Sequence, residues 1–262
     1  MKGAEPPRIA SLVPSLTELL AELGLGPYLV ARTGFCIHPA AVVAEIPKVG
    51  GTKDVNLEKL RRLAPTHVVV NVDENRLDTV AVIRRWTEAP EIVVTHPTDP
   101  RDNVGLVDLL ARTFAAVPEV GTRADDLKQA LAAELELTRP EGRVVRRVLY
   151  LIWRDPWMTV ARDTYIARML ARVGWQTVPA VDGGATGAAR YPVIDGNESW
   201  LGTADEVLLS SEPYRFGAGD VVAAQALCPA ARVRHVDGEL LSWYGARAVR
   251  GLGYLRQLAA AP

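Results

Sequence analysis

The sequence predicts an α/β protein: either one large α/β domain or two α/β lobes joined by one long helix. Three observations predict it. Short Val-, Ile- and Leu-rich runs alternate with helical patterns along most of the 262 residues, the alternation that builds α/β folds. Several runs are almost continuously apolar, as strands buried on both faces of a parallel sheet are. Near the middle, Pro118–Thr138 carries Leu127, Leu131 and Leu135 at a spacing of four, with Val120, Ala124 and Thr138 close to the same stripe. That recurrence marks one face of an amphipathic helix, and a helix over most of the stretch is about 30 Å long. By itself it reads as one more helix on a sheet or as a rigid spine between two lobes.

In chain order, Arg8–Val13 is a β-rich run stopped by Pro14. Ser15 then caps a helix through Leu23, with Glu18 as its capping-box partner. Tyr28–Thr33 is a second strand, followed by a loop with three special groups, Phe35, Cys36 and His38. Asn56 caps a helix through Ala64, which Pro65 ends. Thr66–Val72 is a buried strand. Asp73, Glu74, Asn75 and Arg76 follow its carboxyl end, where ligands sit in open α/β sheets. A helix runs on to Trp86, a strand covers Glu91–Pro97, and Asp102 caps the helix Asn103–Ala115. Thr122 or Asp125 starts the central helix, and Pro140 and Gly142 close it. Arg147–Trp153 restarts the strand pattern, with a turn at Asp155 and Pro156, a strand Trp157–Ala161 and a helix Asp163–Val173. The Gly-rich stretch Pro179–Trp200 has the length and lack of pattern of a binding loop or a disordered one. Glu206–Ser211 is a strand, Gly219–Leu227 a helix, Val233–Val236 a strand, and the chain closes on a long amphipathic helix.

Composition excludes several classes. With 48% hydrophobic and 23% charged residues the chain is an ordinary globular one. A net charge of −1 leaves no footprint for nucleic acid or for an anionic membrane. No apolar run is long enough for a bilayer, and the first residues show no signal-peptide pattern. The chain reads either as cytoplasmic, with Met1 as its native start, or as a mature form whose signal peptide has been removed. Cys36 and Cys228, the two cysteines, read as buried free thiols.

No phosphate-cradling GxxxxGK[ST] or GxGxxG follows a strand, and GxSxG and HExxH are absent, so no cofactor and no catalytic residue is expected. The four histidines lack metal-ligand spacing. His67 and His235 read as structural, whereas His38 and His96 lie in loops at strand ends and are as open to ligand contact as to a structural role. Cys36 reads as a small apolar filler before it reads as a nucleophile. Trp153, Trp157, Tyr191, Trp243 and Tyr244 all fall at strand ends or in loops of the second half. Together they describe a flat, partly apolar pocket wall for a bulky planar ligand.

At RIASLVPSLTELLAELGLG and IPKVGGTKDVNLEKLRRLAPTHVVVNVDENR the sequence resembles the helical-backbone (class III) substrate-binding proteins of ABC importers, and among them the vitamin B12-binding proteins. PWMTVARDTYIARMLARVGW carries the likeness into the second half. The resemblance implies an N-terminal lobe over residues 1–117, a connecting helix over 118–140 and a C-terminal lobe over 141–262, with the ligand in the cleft between lobes. It implies a monomer that captures a corrinoid or a related metal chelate and hands it to an ABC permease, in the periplasm if the chain is a mature form. By position it makes Trp157 and Tyr191 ring-stacking residues, with Trp243 near a third. His38 takes the place of a first-lobe tyrosine beside Phe35. Asn71 stands where B12 binders carry a tryptophan. Glu74 and Glu198 fall near the glutamates, one per lobe, that dock onto permease arginines. Two alternatives stand beside this: the same fold binding a ferric siderophore or haem, and a cytoplasmic enzyme or sensor using Cys36, His38, Glu74 and Arg76.

Overall fold

The computed structural model describes residues 5–261. The chain forms two α/β units, each with its own parallel four-stranded sheet, so no sheet runs through both halves. Among the described residues, no helix is long and apolar enough to cross a membrane.

The first unit takes the residues up to Pro97, Asn103–Leu131 and Tyr244–Arg247. Its elements are β1 (Ile9–Ser11), α1 (Pro14–Glu22), β2 (Leu29–Arg32), α2 (Ala40–Val43), α3 (Leu57–Arg62), β3 (His67–Asn71), α4 (Leu77–Ile83), β4 (Glu91–Thr95), α5 (Asp102–Thr113) and the start of α6 (Val120–Leu137). The strand order is β2-β1-β3-β4. β3 lies inside the sheet, and Val68, Val69 and Val70 are buried as their unbroken apolar run requires. Asn56 caps α3 as its side chain dictates, its Oδ1 accepting from Lys59 N at 2.9 Å. α1 starts differently from the sequence expectation. Pro14 takes the first helical turn, where its missing N–H costs nothing, and no side chain caps the helix. Ser15 therefore lies inside it, and Glu18 turns into the core towards Arg247.

The second unit takes Thr98–Asp102, Ala132–Trp243 and the chain from Ala248 onward. After the end of α6 come β5 (Arg146–Leu151), β6 (Trp157–Met158), α7 (Tyr165–Ala171), β7 (Trp175–Thr177), β8 (Val193–Ile194), β9 (Glu206–Ser210), α8 (Ala218–Leu227), β10 (Arg232–Val236), α9 (Gly238–Ser242) and α10 (Arg247–Ala260). The main sheet has the order β10-β9-β5-β7, and β6 and β8 form a separate antiparallel pair. The strand expected over Trp157–Ala161 is thus only its first two residues. β7 and the short α9 carried too little periodicity to be seen in the sequence. Thr164 caps α7 through Ala167 N.

α6 passes from the first unit to the second between Leu131 and Ala132. Its stripe is buried as the spacing predicts: Val120, Ala124, Leu127 and Leu131 lie in the first unit, and Leu135 packs on the core of the second. Neither Thr122 nor Asp125 caps it. The helix starts at Val120, directly after Glu119, whose φ is +69°.

One core group should contribute to an alkaline limit of this fold. Cys228 ends α8 in the core of the second unit, and burial pushes its thiol up to about 11. A raised folded pKa stabilises fully below the unfolded value, and that contribution disappears as pH rises through the folded value. The stability of the native chain should therefore fall between about pH 9 and 11. Cys228→Ala should flatten that fall in urea unfolding curves measured across the range, and an unchanged slope would assign the limb to other groups.

Candidate functional site

β5 and β9 are the inner strands of the second sheet, and their carboxyl ends lie side by side. Four aromatic rings follow from these two ends. Trp153 meets Tyr214 edge-on at 5.4 Å between centroids. Tyr214 leans on Phe216 at 4.8 Å, and Phe216 stacks nearly parallel to Trp157 at 6.1 Å and 12°. The Arg154 guanidinium lies 5.3 Å from the Trp157 ring centroid, a cation–π distance, and it pairs with Asp220. Tyr214 and Phe216 escaped the sequence reading, although SSEPYRF follows a strand's carboxyl end as Trp153 does.

The other aromatics of this half have separate places. Tyr191 is half-buried and packs against the core that holds Tyr150 and Trp175. Trp243 is buried, and its indole N–H donates to Glu212 Oε1 at 2.8 Å, an oxygen that also accepts from Ser242 Oγ at 2.6 Å. The Pro179–Trp200 stretch is not shapeless. It wraps around the buried Arg190, whose Nη1 donates to Gly184 O at 2.7 Å. A Cβ on Gly183 would sit 2.3 Å from Arg190 Cα, so only glycine lets the loop close there. Glu198 accepts from Asp195 N at 2.9 Å and Gly196 N at 3.0 Å, so its carboxylate builds the turn it belongs to.

The carboxyl edge of the first sheet is polar. Asn71 ends β3 and is buried; its Oδ1 accepts from Asp73 N at 2.8 Å and its backbone N–H donates to Asn75 Oδ1 at 2.9 Å. The amide oxygen is thus committed to the turn after β3, and its Nδ2 donates to Thr95 Oγ1 at 3.4 Å. Glu74 Oε1 accepts from the Tyr244 hydroxyl at 2.6 Å. Burial, and then the Glu74 charge, keep the Tyr244 phenol well above its ordinary range. Asp73 Oδ2 lies 3.4 Å from His96 Nε2. The loop after β2 is pinned by the buried Arg32, which donates to Val43 O at 2.8 Å and to Cys36 O at 3.1 Å. That anchoring leaves Phe35 exposed, 63% of its surface in solvent, and His38 half-buried. Cys36 is fully buried against Thr33, and burial pushes its thiol up. A thiol held protonated is a filler and not a nucleophile. Arg76 is exposed and pairs with Asp78 at 3.0 Å.

A concavity of about 590 Å³ lined by Arg61, Pro65, Trp86 and Pro90 lies elsewhere, at the amino ends of β3 and β4. It is bordered by the turns that enter those strands. The carboxyl edges, which carry the aromatic and polar side chains described above, are the better candidates.

Comparisons with known proteins agree with this fold. The periplasmic binding protein family matches over residues 9–182. The uncharacterised ABC transporter substrate-binding lipoprotein YvrC of Bacillus subtilis is 24% identical over 265 residues, covering 97% of this chain and 80% of that protein. The vitamin B12-binding protein of Vibrio cholerae serotype O1 is 26% identical over 169 residues, covering 64% of this chain and 59% of that protein. Among solved structures, the periplasmic vitamin B12 binding protein BtuF of Vibrio cholerae superposes with a TM-score of 0.80 at 19% identity, covering 98% of this chain and 99% of that one. The apo periplasmic heme-binding protein RhuT of Roseiflexus sp. RS-1 follows with a TM-score of 0.78 at 22% identity, covering 97% and 98%. These likenesses carry the two-lobe α/β fold, and the family they point to is one of substrate-binding proteins and not of enzymes. The chain belongs to the periplasmic binding protein family, the substrate-binding proteins of ABC transporters.

Proposed function

We propose that the chain captures a corrinoid or a related planar metal chelate outside the cytoplasm and delivers it to an ABC permease. The observation that carries this reading is the four-ring cluster at the carboxyl ends of β5 and β9. Aromatic faces bind large planar ligands by stacking at little cost in side-chain order. The sequence likeness to a vitamin B12-binding protein supports a corrinoid. On the second unit the candidate contact surface is the ring cluster that includes Trp157, while Tyr191 and Trp243 lie apart from it. On the first unit the candidate contacts are Phe35, His38 and Asn71. Glu74 and Glu198 are the docking carboxylates in this reading.

Calorimetric titration with cobalamin, cobinamide, haem and a ferric siderophore tests it. The expected result is a corrinoid affinity of about 1 μM or tighter, near −8 kcal/mol, with the other ligands at least tenfold weaker. A second reading, haem or a ferric chelate on the same surface, rests on the fold likeness to a heme-binding protein. It takes over if haem or the ferric chelate binds and both corrinoids do not. Failure of all four ligands overturns the planar-chelate reading.

A further inference from the structure

We infer that Trp153, and not Trp157, is the ring on which the ligand stacks, with Trp157 serving as a structural support beneath the cluster. This rests on the planar-chelate reading above and assigns its contact residue. Trp157 is already engaged: Phe216 stacks on it at 6.1 Å and 12°, and the Arg154 guanidinium lies 5.3 Å from its centroid. Arg154 is in turn held by Asp220, whose Oδ2 accepts from Gly217 N at 2.6 Å, so this cover is anchored to the start of α8. A ligand stacking on Trp157 would have to displace it.

Trp153 has the opposite character. Its backbone is locked, with Met158 N donating to Trp153 O at 3.1 Å and Ile152 N donating to Met158 O at 3.0 Å. The residue nevertheless keeps 40% of its surface in solvent, beyond residues Leu149–Leu151 that are fully buried. Tyr214 meets it edge-on and steadies the ring without closing it off. An immobilised backbone that holds a large aromatic face in water, at the carboxyl end of an inner strand, is arranged for a planar partner. Arg215 follows Tyr214 directly and is exposed, adding a cation at the rim of this face for a carboxylate or phosphate on the ligand's edge.

The test uses the full chain and four variants, Trp153→Ala, Trp153→Leu, Trp153→Tyr and Trp157→Ala, titrated with cobinamide and with haem, and melted in parallel. For whichever probe the native chain binds, Trp153→Ala and Trp153→Leu should each weaken affinity about tenfold or more with little change in melting temperature. Trp153→Tyr, which keeps a ring, should stay within about threefold of the native chain. Trp157→Ala should lower the melting temperature and change affinity less than Trp153→Ala does. Should the alanine variant not fold, the leucine variant, which keeps apolar bulk without an aromatic face, decides. Native-like affinity in a folded Trp153→Leu or Trp153→Ala chain overturns the assignment while leaving the planar-chelate reading in place. Absence of binding by the native chain overturns both.

Discussion

Replacing Glu18 by alanine should destabilise the folded protein by about 3–5 kcal/mol, the cost of leaving a buried charge without its partner. Glu18 on α1 and Arg247 at the start of α10 are 8% and 6% exposed. They meet in a two-pronged pair, with Arg247 Nε donating to Oε2 at 2.6 Å and Nη2 to Oε1 at 3.0 Å. The pair is part of a wider anchor that holds Tyr244–Arg247 in the first unit. Gly245 N donates to the buried Asn103 Oδ1 at 2.6 Å, and the Tyr244 hydroxyl donates to Glu74. Gly245 has a φ of +83°, and a Cβ there would come within 3.1 Å of Leu19, so the close approach to α1 needs glycine. Urea unfolding measures the effect. Arg247→Ala should cost a similar amount, and the pair Glu18→Leu with Arg247→Met should recover most of it, since two matched apolar groups leave no orphan charge. A loss under about 1 kcal/mol for Glu18→Ala would mean that water reaches the site and screens the pair.

The same residue shows where sequence reading stops. Ser15 and Glu18 stand at capping-box spacing, and nothing local says that the box stays unformed. What overrides it is Arg247, 229 positions away, together with Pro14, which starts the helix one residue earlier. Elements governed by local rules were legible. Asn56 capped its helix, the apolar run around Val68–Val70 was a buried strand, and the leucines of α6 gave its buried face. The Gly-rich loop was not, because its order comes from contacts without local pattern: the buried Arg190, the Arg162–Asp182 pair, Gly183 N on Asp163 and the pairing of β8 with β6. The candidate ring cluster was legible in part: Trp153 and Trp157 stood out at strand ends, whereas Tyr214 and Phe216 did not. Which ring stays open depends on Phe216 and Arg154 taking up Trp157, and packing between side chains from two distant segments leaves no periodicity to read. Asn71 was legible as a carboxyl-end position and not as a turn builder, since its hydrogen bonds depend on how the chain turns after β3.

Removing the charges of Glu74 and Glu198 together should abolish ligand uptake while leaving ligand affinity and stability close to native, if the two carboxylates dock a permease as proposed. The choice of substitution matters. Glu74 Oε1 accepts from Tyr244, and Glu198 accepts from two backbone N–H groups, so truncation to alanine would orphan donors and cost about 1–3 kcal/mol at the buried tyrosine alone. Arginine would add that cost to charge reversal. Glutamine keeps one acceptor oxygen at each place: at Glu74 it still accepts from Tyr244, and at Glu198 it holds one of the two backbone N–H groups and leaves the other to water, so Glu74→Gln with Glu198→Gln separates docking from folding better than alanine or arginine does. Charge-assisted pairs to arginine lose about 2–5 kcal/mol when one partner is truncated, so two such losses leave association below any useful level at ordinary concentrations. The measurements are uptake in cells or permease-containing vesicles, ligand titration of the isolated chain, and a melting curve. Undiminished uptake would return both carboxylates to the turn-building and tyrosine-holding roles the structure already gives them. A tenfold loss of ligand affinity would place one of them on the ligand, and the two single variants would identify which: loss in Glu74→Gln points to the polar edge of the first sheet, beside Asp73 and His96, and loss in Glu198→Gln to the loop that follows β8.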